Sequence, residues 1–152
     1  LGTDRLGLYL DLERPLSEPE LEAYRALVRR RATHEPVAYI VGQKEFYGLP
    51  FEVCPDVLIP RPDTEHLVEL ALERLPAEGD VRLVDVCTGS GCVAVSIAAN
   101  HPKAQILATE IDSKAASVAQ KNIERHGLAG RIQLNPVVAG GFIRTLCRAR
   151  AF

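Results

Sequence analysis

One uninterrupted stretch decides the fold class of this 152-residue chain: Val81-Arg82-Leu83-Val84-Asp85-Val86-Cys87-Thr88-Gly89-Ser90-Gly91. Its first six residues are rich in valine and leucine, which favours a buried strand. The glycines predict a tight turn, and the apolar residues within 93–98 then recur at helical spacing. The stretch therefore predicts a strand, a turn and a helix, the first part of a βαβ unit.

The alternation of strand and helix continues downstream. A second strand is predicted over 105–109, followed by a helix that is capped at residues 112–113 and stops at Gly127. A third strand is predicted from 131–134. This order indicates an α/β domain with a parallel sheet. The helix after the second strand is expected to run through Ala115, Val118, Ala119, Asn122 and Ile123.

The residues before residue 81 predict a small helical region, a hairpin and one more helix. Ser17 and Glu20 have capping-box spacing, which predicts a helix over 18–32. β-favouring residues broken by turn signals predict a hairpin within 44–59. The proline-containing segment 60–65 predicts an extended approach to a helix. The apolar face of that helix is expected at Leu67, Val68, Ala71, Leu72 and Leu75.

Composition limits the partners and the cellular setting. The formal net charge is -2, and no apolar run approaches the roughly 20 residues that span a bilayer. We therefore expect no direct nucleic-acid partner and no membrane span. The sequence starts at Leu1 and has no methionine, so we expect a fragment. No two of the four cysteines form a C-x-x-C pair; they are Cys54, Cys87, Cys92 and Cys147. This spacing predicts free thiols in a reducing cytoplasm and no metal site.

The glycine turn predicts a nucleotide-like cofactor. A strand that ends in such a turn and opens a helix presents backbone N–H groups that a ligand can approach closely. Glu110 follows the next strand, where a carboxylate can accept hydrogen bonds from a ribose diol. Residues 89–94 match the G-x-G-x-x-A pattern of dinucleotide-binding proteins, so an NAD-dependent oxidoreductase is an alternative function. Asp85 favours S-adenosylmethionine instead, because a carboxylate repels a pyrophosphate and attracts a sulfonium or ammonium.

Four separate stretches resemble the release-factor glutamine N5-methyltransferases, the PrmC or HemK family. They are residues 31–42, 45–48, 58–65 and 85–91, and the overall resemblance extends from about residue 6 to residue 134. The third stretch is the family's most distinctive linker: Leu58-Ile59-Pro60-Arg61-Pro62-Asp63-Thr64-Glu65. Together these stretches identify the chain as similar to this family.

The resemblance implies a Rossmann-like, S-adenosylmethionine-dependent methyltransferase domain, here truncated, after a small helical domain and a β-hairpin linker. The expected divisions are a substrate-recognition domain at 1–42, a hairpin linker at 43–62, a methyltransferase domain at 63–134 and a divergent tail at 135–152. The expected substrate is the glutamine of the Gly-Gly-Gln motif of peptide chain release factors. A non-catalytic module that binds release factors is the further alternative.

The resemblance also implies roles for individual residues. Those expected to bind the cofactor are Asp85, Cys87, Thr88, Gly89, Ser90, Gly91 and Glu110. Arg61, Thr64 and Glu65 are expected at the mouth of the substrate site. Their structural alternatives are an ion pair of Arg61 with a surface carboxylate and a helix cap at Thr64.

No catalytic residue is assigned. The family's Asn-Pro-Pro-Tyr loop, which holds the glutamine amide, has no counterpart in this sequence. Asn135-Pro136 resembles it only superficially, because it follows the third predicted strand directly. We therefore expect these 152 residues to be inactive by themselves.

Overall fold

The computed structural model describes residues 5–76 and 79–136 of the chain, which divides into two compact units, Leu1–Ile40 and Val41–Phe152. The predictions for Cys147 and for the divergent tail beyond Pro136 lie outside the described residues.

The first unit is helical. Helix α1 spans Arg5–Leu10, α2 spans Glu18–Ala32, and the short helix α3 spans Val37–Val41. The predicted capping box is confirmed, because the Glu20 carboxylate accepts hydrogen bonds from the Ser17 N–H and hydroxyl, both at 2.9 Å. Arg14 also donates to Glu20, and these hydrogen bonds lower the pKa of Glu20 to about 2. The ionised carboxylate therefore fixes the start of α2 where the sequence predicts it.

The second unit begins with a β-hairpin. Strand β1 (Gln43–Phe46) pairs antiparallel with β2 (Leu49–Glu52). The two turn residues, Tyr47 and Gly48, both have positive φ, as a tight two-residue hairpin turn requires. The hairpin predicted within 44–59 is confirmed only for its first part. Its second strand, β2, ends at Glu52 because a turn at Pro55 follows. A hydrogen bond from the Val57 N–H to the Cys54 carbonyl closes this turn.

A parallel sheet forms the centre of the second unit. Its strands β3 (Val81–Val86), β4 (Ala104–Glu110) and β5 (Ile132–Pro136) lie in the order β3-β4-β5. Helix α5 (Cys92–Asn100) connects β3 to β4, and α6 (Ser113–Arg125) connects β4 to β5. The predicted strands and helices are confirmed within one or two residues. The strand order β3-β4-β5, with a helix between successive strands, is that of one half of a doubly wound sheet.

The two faces of this sheet differ in burial. Ile106 and Ile132 pack into a common core with the helices and are at most 3% exposed. On the other face, Val84 and Val86 are 41% and 53% exposed. Helices α5 and α6 therefore cover one side of the sheet only, within the part of the chain that the structure describes.

The approach to helix α4 (Glu65–Arg74) differs from the prediction. Residue 61 is extended, but Pro62–Thr64 form a 3₁₀ turn that continues directly into α4. Thr64 has φ −72° and ψ −18°, already helical, and its side chain makes no capping hydrogen bond. The predicted Thr64 cap is therefore wrong, since a capping side chain requires an extended backbone at the cap residue.

The hairpin shares the core of the second unit. Phe46 and Phe51 are 1% and 0% exposed, and their rings meet edge to face with centroids 6.1 Å apart. Phe51 also contacts the ring of His126, which follows α6, with centroids 5.2 Å apart. Removing the Phe51 ring would therefore open a cavity between the hairpin and α6.

We predict that Phe51→Ala lowers the free energy of unfolding by about 3–5 kcal/mol, the usual cost of deleting a buried aromatic ring. Urea unfolding followed by circular dichroism measures this change. Leu58→Ala is the matched control, because Leu58 is 72% exposed and should change stability by less than about 0.5 kcal/mol. Equal effects of the two substitutions would show that the hairpin does not belong to the core.

Candidate functional site

The glycine turn joins β3 to α5 through three residues with left-handed backbone. Cys87, Gly89 and Gly91 have φ of 61°, 58° and 80°. A residue with a Cβ atom in this region costs about 1–2 kcal/mol, so glycine suits all three positions. Cys87, which stands at the first of these positions, therefore carries backbone strain. We call residues 87–91 the glycine loop.

The two glycines of the loop have different surroundings. A Cβ atom added at Gly91 would lie 3.6 Å from the Cα and Cβ atoms of Ala119, in ordinary van der Waals contact with α6, so the constraint at this position is the positive φ. A Cβ atom added at Gly89 would meet nothing within 4 Å among the described residues. The backbone at Gly89 therefore faces open space that a ligand can enter.

Backbone hydrogen bonds hold the loop at the carboxyl end of the sheet. The Thr88 N–H donates to the Thr109 carbonyl at 2.9 Å, which extends the pairing of β3 and β4 beyond Val86. The Gly91 N–H donates to the Thr88 carbonyl at 2.9 Å. These bonds leave the middle of the loop at the end of two adjacent parallel strands, where ligands of α/β proteins bind.

Glu110 connects the end of β4 to the glycine loop. One carboxylate oxygen, Oε2, accepts the Gly89 N–H at 2.9 Å. The other, Oε1, accepts the N–H groups of Ile111 and Asp112 at 2.8 and 3.1 Å. Glu110 is only 8% exposed, so these donors compensate for the burial of its carboxylate. A carboxylate has about four acceptor positions, so it retains capacity for a further donor.

Asp85 lies near the end of β3 and faces the start of the loop. Its Oδ2 accepts a hydrogen bond from the Thr88 hydroxyl at 2.6 Å. Burial raises the pKa of the Asp85 carboxyl above the ordinary value of 3.8, while the Thr88 hydroxyl and the Ala94 N–H oppose that shift and the charge of Glu110 adds to it. The structure thus places two acidic side chains, Asp85 and Glu110, beside the same short loop.

The three residues expected at the substrate mouth occupy a separate segment. Arg61 is exposed and forms no ion pair within the described part of the chain. Thr64 is half-buried in the 3₁₀ turn. Glu65 accepts the Tyr47 N–H at 2.9 Å and so ties the first turn of α4 to the hairpin. No hydrogen bond in residues 5–76 and 79–136 joins Arg61, Thr64 or Glu65 directly to the loop.

Hydrogen bonds join Thr88 to Asp85 and to Gly91, and Gly89 to Glu110.

Asn135 lies on β5, in register with Thr109 of the neighbouring strand. This position agrees with its predicted place at the third strand. Cys54, Cys87 and Cys92 are free thiols, and no group of three His, Cys, Asp or Glu side chains within the described ranges is arranged to hold a metal ion. No helix among the described residues has the length and apolarity needed to cross a bilayer.

Asn122 is a buried residue that contacts the loop and that the sequence pattern does not single out as part of the site. Asn122 donates a hydrogen bond from Nδ2 to the Ser90 carbonyl at 2.9 Å and also bonds the backbone of Glu52. The available signal was a lone amide within the otherwise apolar face of α6. A polar residue at such a position needs a partner, but its position along the sequence does not identify that partner.

Two family profiles match the chain. Residues 1–42 match the PrmC N-terminal domain, and residues 65–142 match the methyltransferase small domain. The second match covers more than half of the chain. It also continues past Leu134, where the resemblance was expected to stop, so the family likeness includes the first residues of the predicted tail.

Curated relatives agree with both profiles. The release factor glutamine methyltransferase of Geobacter sulfurreducens is 51% identical over 127 residues, which cover 84% of this chain and 44% of that protein. The enzyme of the same name from Nitratidesulfovibrio vulgaris is 44% identical over 149 residues, covering 98% of this chain and 49% of the relative. The chain thus spans about half the length of the curated relatives it matches.

Solved structures support the fold. The N-terminal domain of human METTL16 superposes with a TM-score of 0.51 at 26% identity, covering 68% of this chain and 41% of that one. The crystal structure of a transferase from Pyrococcus horikoshii superposes with a TM-score of 0.54 at 19% identity. The match covers 66% of this chain and 37% of that one. With the parallel sheet β3-β4-β5 and the two profile matches, these likenesses lead to one assignment. The chain belongs to the methyltransferase small domain family, with a PrmC-type N-terminal segment and part of the Rossmann-like methyltransferase fold.

Proposed function

We propose that this chain is the N-terminal portion of an S-adenosylmethionine-dependent methyltransferase that acts on peptide chain release factors. The observation that carries the proposal is the 2.9 Å hydrogen bond between the Gly89 N–H and the buried Glu110 carboxylate. It brings the glycine loop and the acidic end of the next strand together at one point. The names of the curated relatives supply the class of substrate.

The described residues fit this cofactor. Open space beside Gly89 admits a ligand close to the backbone, and Glu110 keeps acceptor capacity for a ribose hydroxyl. Three of its acceptor positions are already used by N–H groups. A second ribose hydroxyl would therefore share an oxygen with one of these donors or displace it. S-adenosylmethionine supplies an electrophilic methyl group on its sulfonium.

Asp85 distinguishes between the two candidate cofactors. Its carboxylate lies at the start of the loop, where an NAD pyrophosphate would meet like charge and a cationic amino acid group would meet opposite charge. The match to a methyltransferase profile supports the second ligand. We therefore propose that residues 88–91 wrap the methionine part of the cofactor and that Asp85 attracts its cationic groups.

For the protein substrate, we propose the glutamine of the Gly-Gly-Gln motif, methylated at its side-chain nitrogen. Residues 1–42, which match the PrmC N-terminal domain, would recognise the release factor. Arg61, Thr64 and Glu65 remain proposed substrate contacts, and Glu65 also holds that segment to the hairpin through its bond to Tyr47. A release factor substrate would place the protein in the cytoplasm and in translation termination.

Methyl transfer tests this proposal. With radiolabelled S-adenosylmethionine, we expect a full-length protein that contains these 152 residues to label a release factor. We expect no label on free glutamine or on a release factor whose Gly-Gly-Gln glutamine is replaced by alanine. The 152-residue chain alone should give no label. Label on the alanine-substituted release factor would contradict the proposed site of methylation.

We predict that Glu110→Ala weakens binding of S-adenosylhomocysteine by about 1–3 kcal/mol, or roughly 5- to 150-fold in Kd, because a charged acceptor is lost. Isothermal titration calorimetry measures this on protein shown to be folded by circular dichroism. Glu124→Ala is the matched control, since its carboxylate bonds, among the residues that the structure describes, the Gln120 amide on the surface of α6 and not the glycine loop. An unchanged Kd for the folded Glu110→Ala protein would refute the ribose role.

We predict that Asp85→Asn raises the Tm at pH 7–8 by about 2–4 °C and weakens binding of S-adenosylmethionine. The folded-state pKa of Asp85 is raised, so its ionised form opposes folding at neutral pH. The difference in Tm between variant and wild type should shrink as the pH falls through that pKa, because the wild-type carboxyl then becomes neutral as well. A variant less stable than wild type at pH 8 would contradict this account.

A further inference from the structure

Asn122 makes three hydrogen bonds from a side chain that is completely buried. Its Oδ1 accepts the Glu52 N–H at 2.8 Å, and its Nδ2 donates to the Glu52 carbonyl at 3.0 Å. The remaining N–H of the amide donates to the Ser90 carbonyl at 2.9 Å. Both amide hydrogens and the amide oxygen of Asn122 are therefore in use.

The two bonds to Glu52 imitate a neighbouring strand. Glu52 is the last residue of β2, and β2 pairs only with β1 among the described residues. The Asn122 amide satisfies both backbone groups of Glu52 as an adjacent strand would. The hairpin is therefore attached to α6 by a fully paired buried amide.

The hydrogen bond to Ser90 holds the part of the glycine loop that lies between its two glycines. Gly89 and Gly91 flank Ser90, and glycine permits many backbone conformations on either side of a peptide unit. The peptide bond is planar, so fixing the Ser90 carbonyl also fixes the direction of the Gly91 N–H. The N–H of this peptide is held within the loop by the Thr88 carbonyl, and Asn122 holds its carbonyl from outside the loop.

We propose that Asn122 is a positioning residue for the glycine loop and couples the hairpin to cofactor affinity. The inference rests on the proposed function in one respect, namely that the loop binds S-adenosylmethionine. The hairpin turn is bonded in the same way to α4, through the Tyr47 N–H and the Glu65 carboxylate. A continuous set of hydrogen bonds thus runs from the first turn of α4 through the hairpin and Asn122 to Ser90.

Hydrogen exchange without ligand tests the positioning role directly. In the 152-residue chain, Asn122→Ala should accelerate exchange of the Gly91 amide by about tenfold, because the Ser90 peptide loses its external partner. Amides in the centre of β3 and β4 should keep their wild-type rates. Unchanged exchange at Gly91 in a folded variant would overturn the proposal.

Cofactor titration tests the coupling. Asn122→Ala should raise the Kd for S-adenosylhomocysteine by about tenfold. Lys121→Ala and Arg125→Ala are the controls, because they remove other contacts between α6 and the hairpin, to Glu52 and Gln43, and leave Ser90 untouched. Both should stay within about twofold of wild type. Equal weakening by all three would show that hairpin attachment, and not the Ser90 bond, sets the affinity.

Wild-type protein gives a test that survives if Asn122→Ala does not fold. S-adenosylhomocysteine should slow exchange of the Glu52 amide, which Asn122 bonds from outside the loop. Protection of loop amides without protection at Glu52 would overturn the coupling. If the wild-type chain binds no S-adenosylhomocysteine yet Asn122→Ala still accelerates exchange at Gly91, the proposed function fails and the positioning role stands.

Discussion

The structure around the proposed site depends on one buried carboxylate that gathers three backbone N–H groups. Glu110 holds the Gly89 N–H with one oxygen and the N–H groups of the two residues after β4 with the other. The glycine loop has left-handed residues at alternate positions and cannot form a regular ladder of hydrogen bonds. An ionised acceptor replaces that ladder, and charged acceptors form the stronger hydrogen bonds. The sheet can therefore present an irregular loop in a fixed conformation.

The loop is held from two sides. Glu110 bonds it from the end of β4, and Asn122 bonds it from α6. Asp85 works against stability in the same region, because burial raises the pKa of its carboxyl. A buried acid that opposes folding beside a ligand-accessible loop is typical of functional sites.

Local sequence patterns predicted most of the second unit. The valine-rich run and the glycine turn define β3 and the start of α5, because strand burial and left-handed backbone each require particular residue types. The proximity of Glu110 to the glycine loop was also predictable, since adjacent parallel strands end at the same edge of a sheet. The capping box at Ser17 is equally local, with both partners within one turn of α2.

Contacts between distant segments were not predictable from one sequence. Asn122 lies 70 residues from Glu52, and Glu65 lies 18 residues from Tyr47, so no local spacing connects either pair. Thr64 has the residue type of a helix cap, yet the 3₁₀ turn before α4 gives it a helical backbone and removes that role. In each case tertiary packing determines the contact or the backbone conformation, and the intrinsic propensities of the residues do not predict it.

The most direct measurement is a crystal structure of the chain with S-adenosylhomocysteine at a resolution that locates the ribose. The account predicts at least one ribose hydroxyl within hydrogen-bond distance of the Glu110 carboxylate, with the glycine loop in contact with the ligand. A ligand bound away from Glu110, or a loop that leaves Glu110 without contact to either ribose or Gly89, would contradict it.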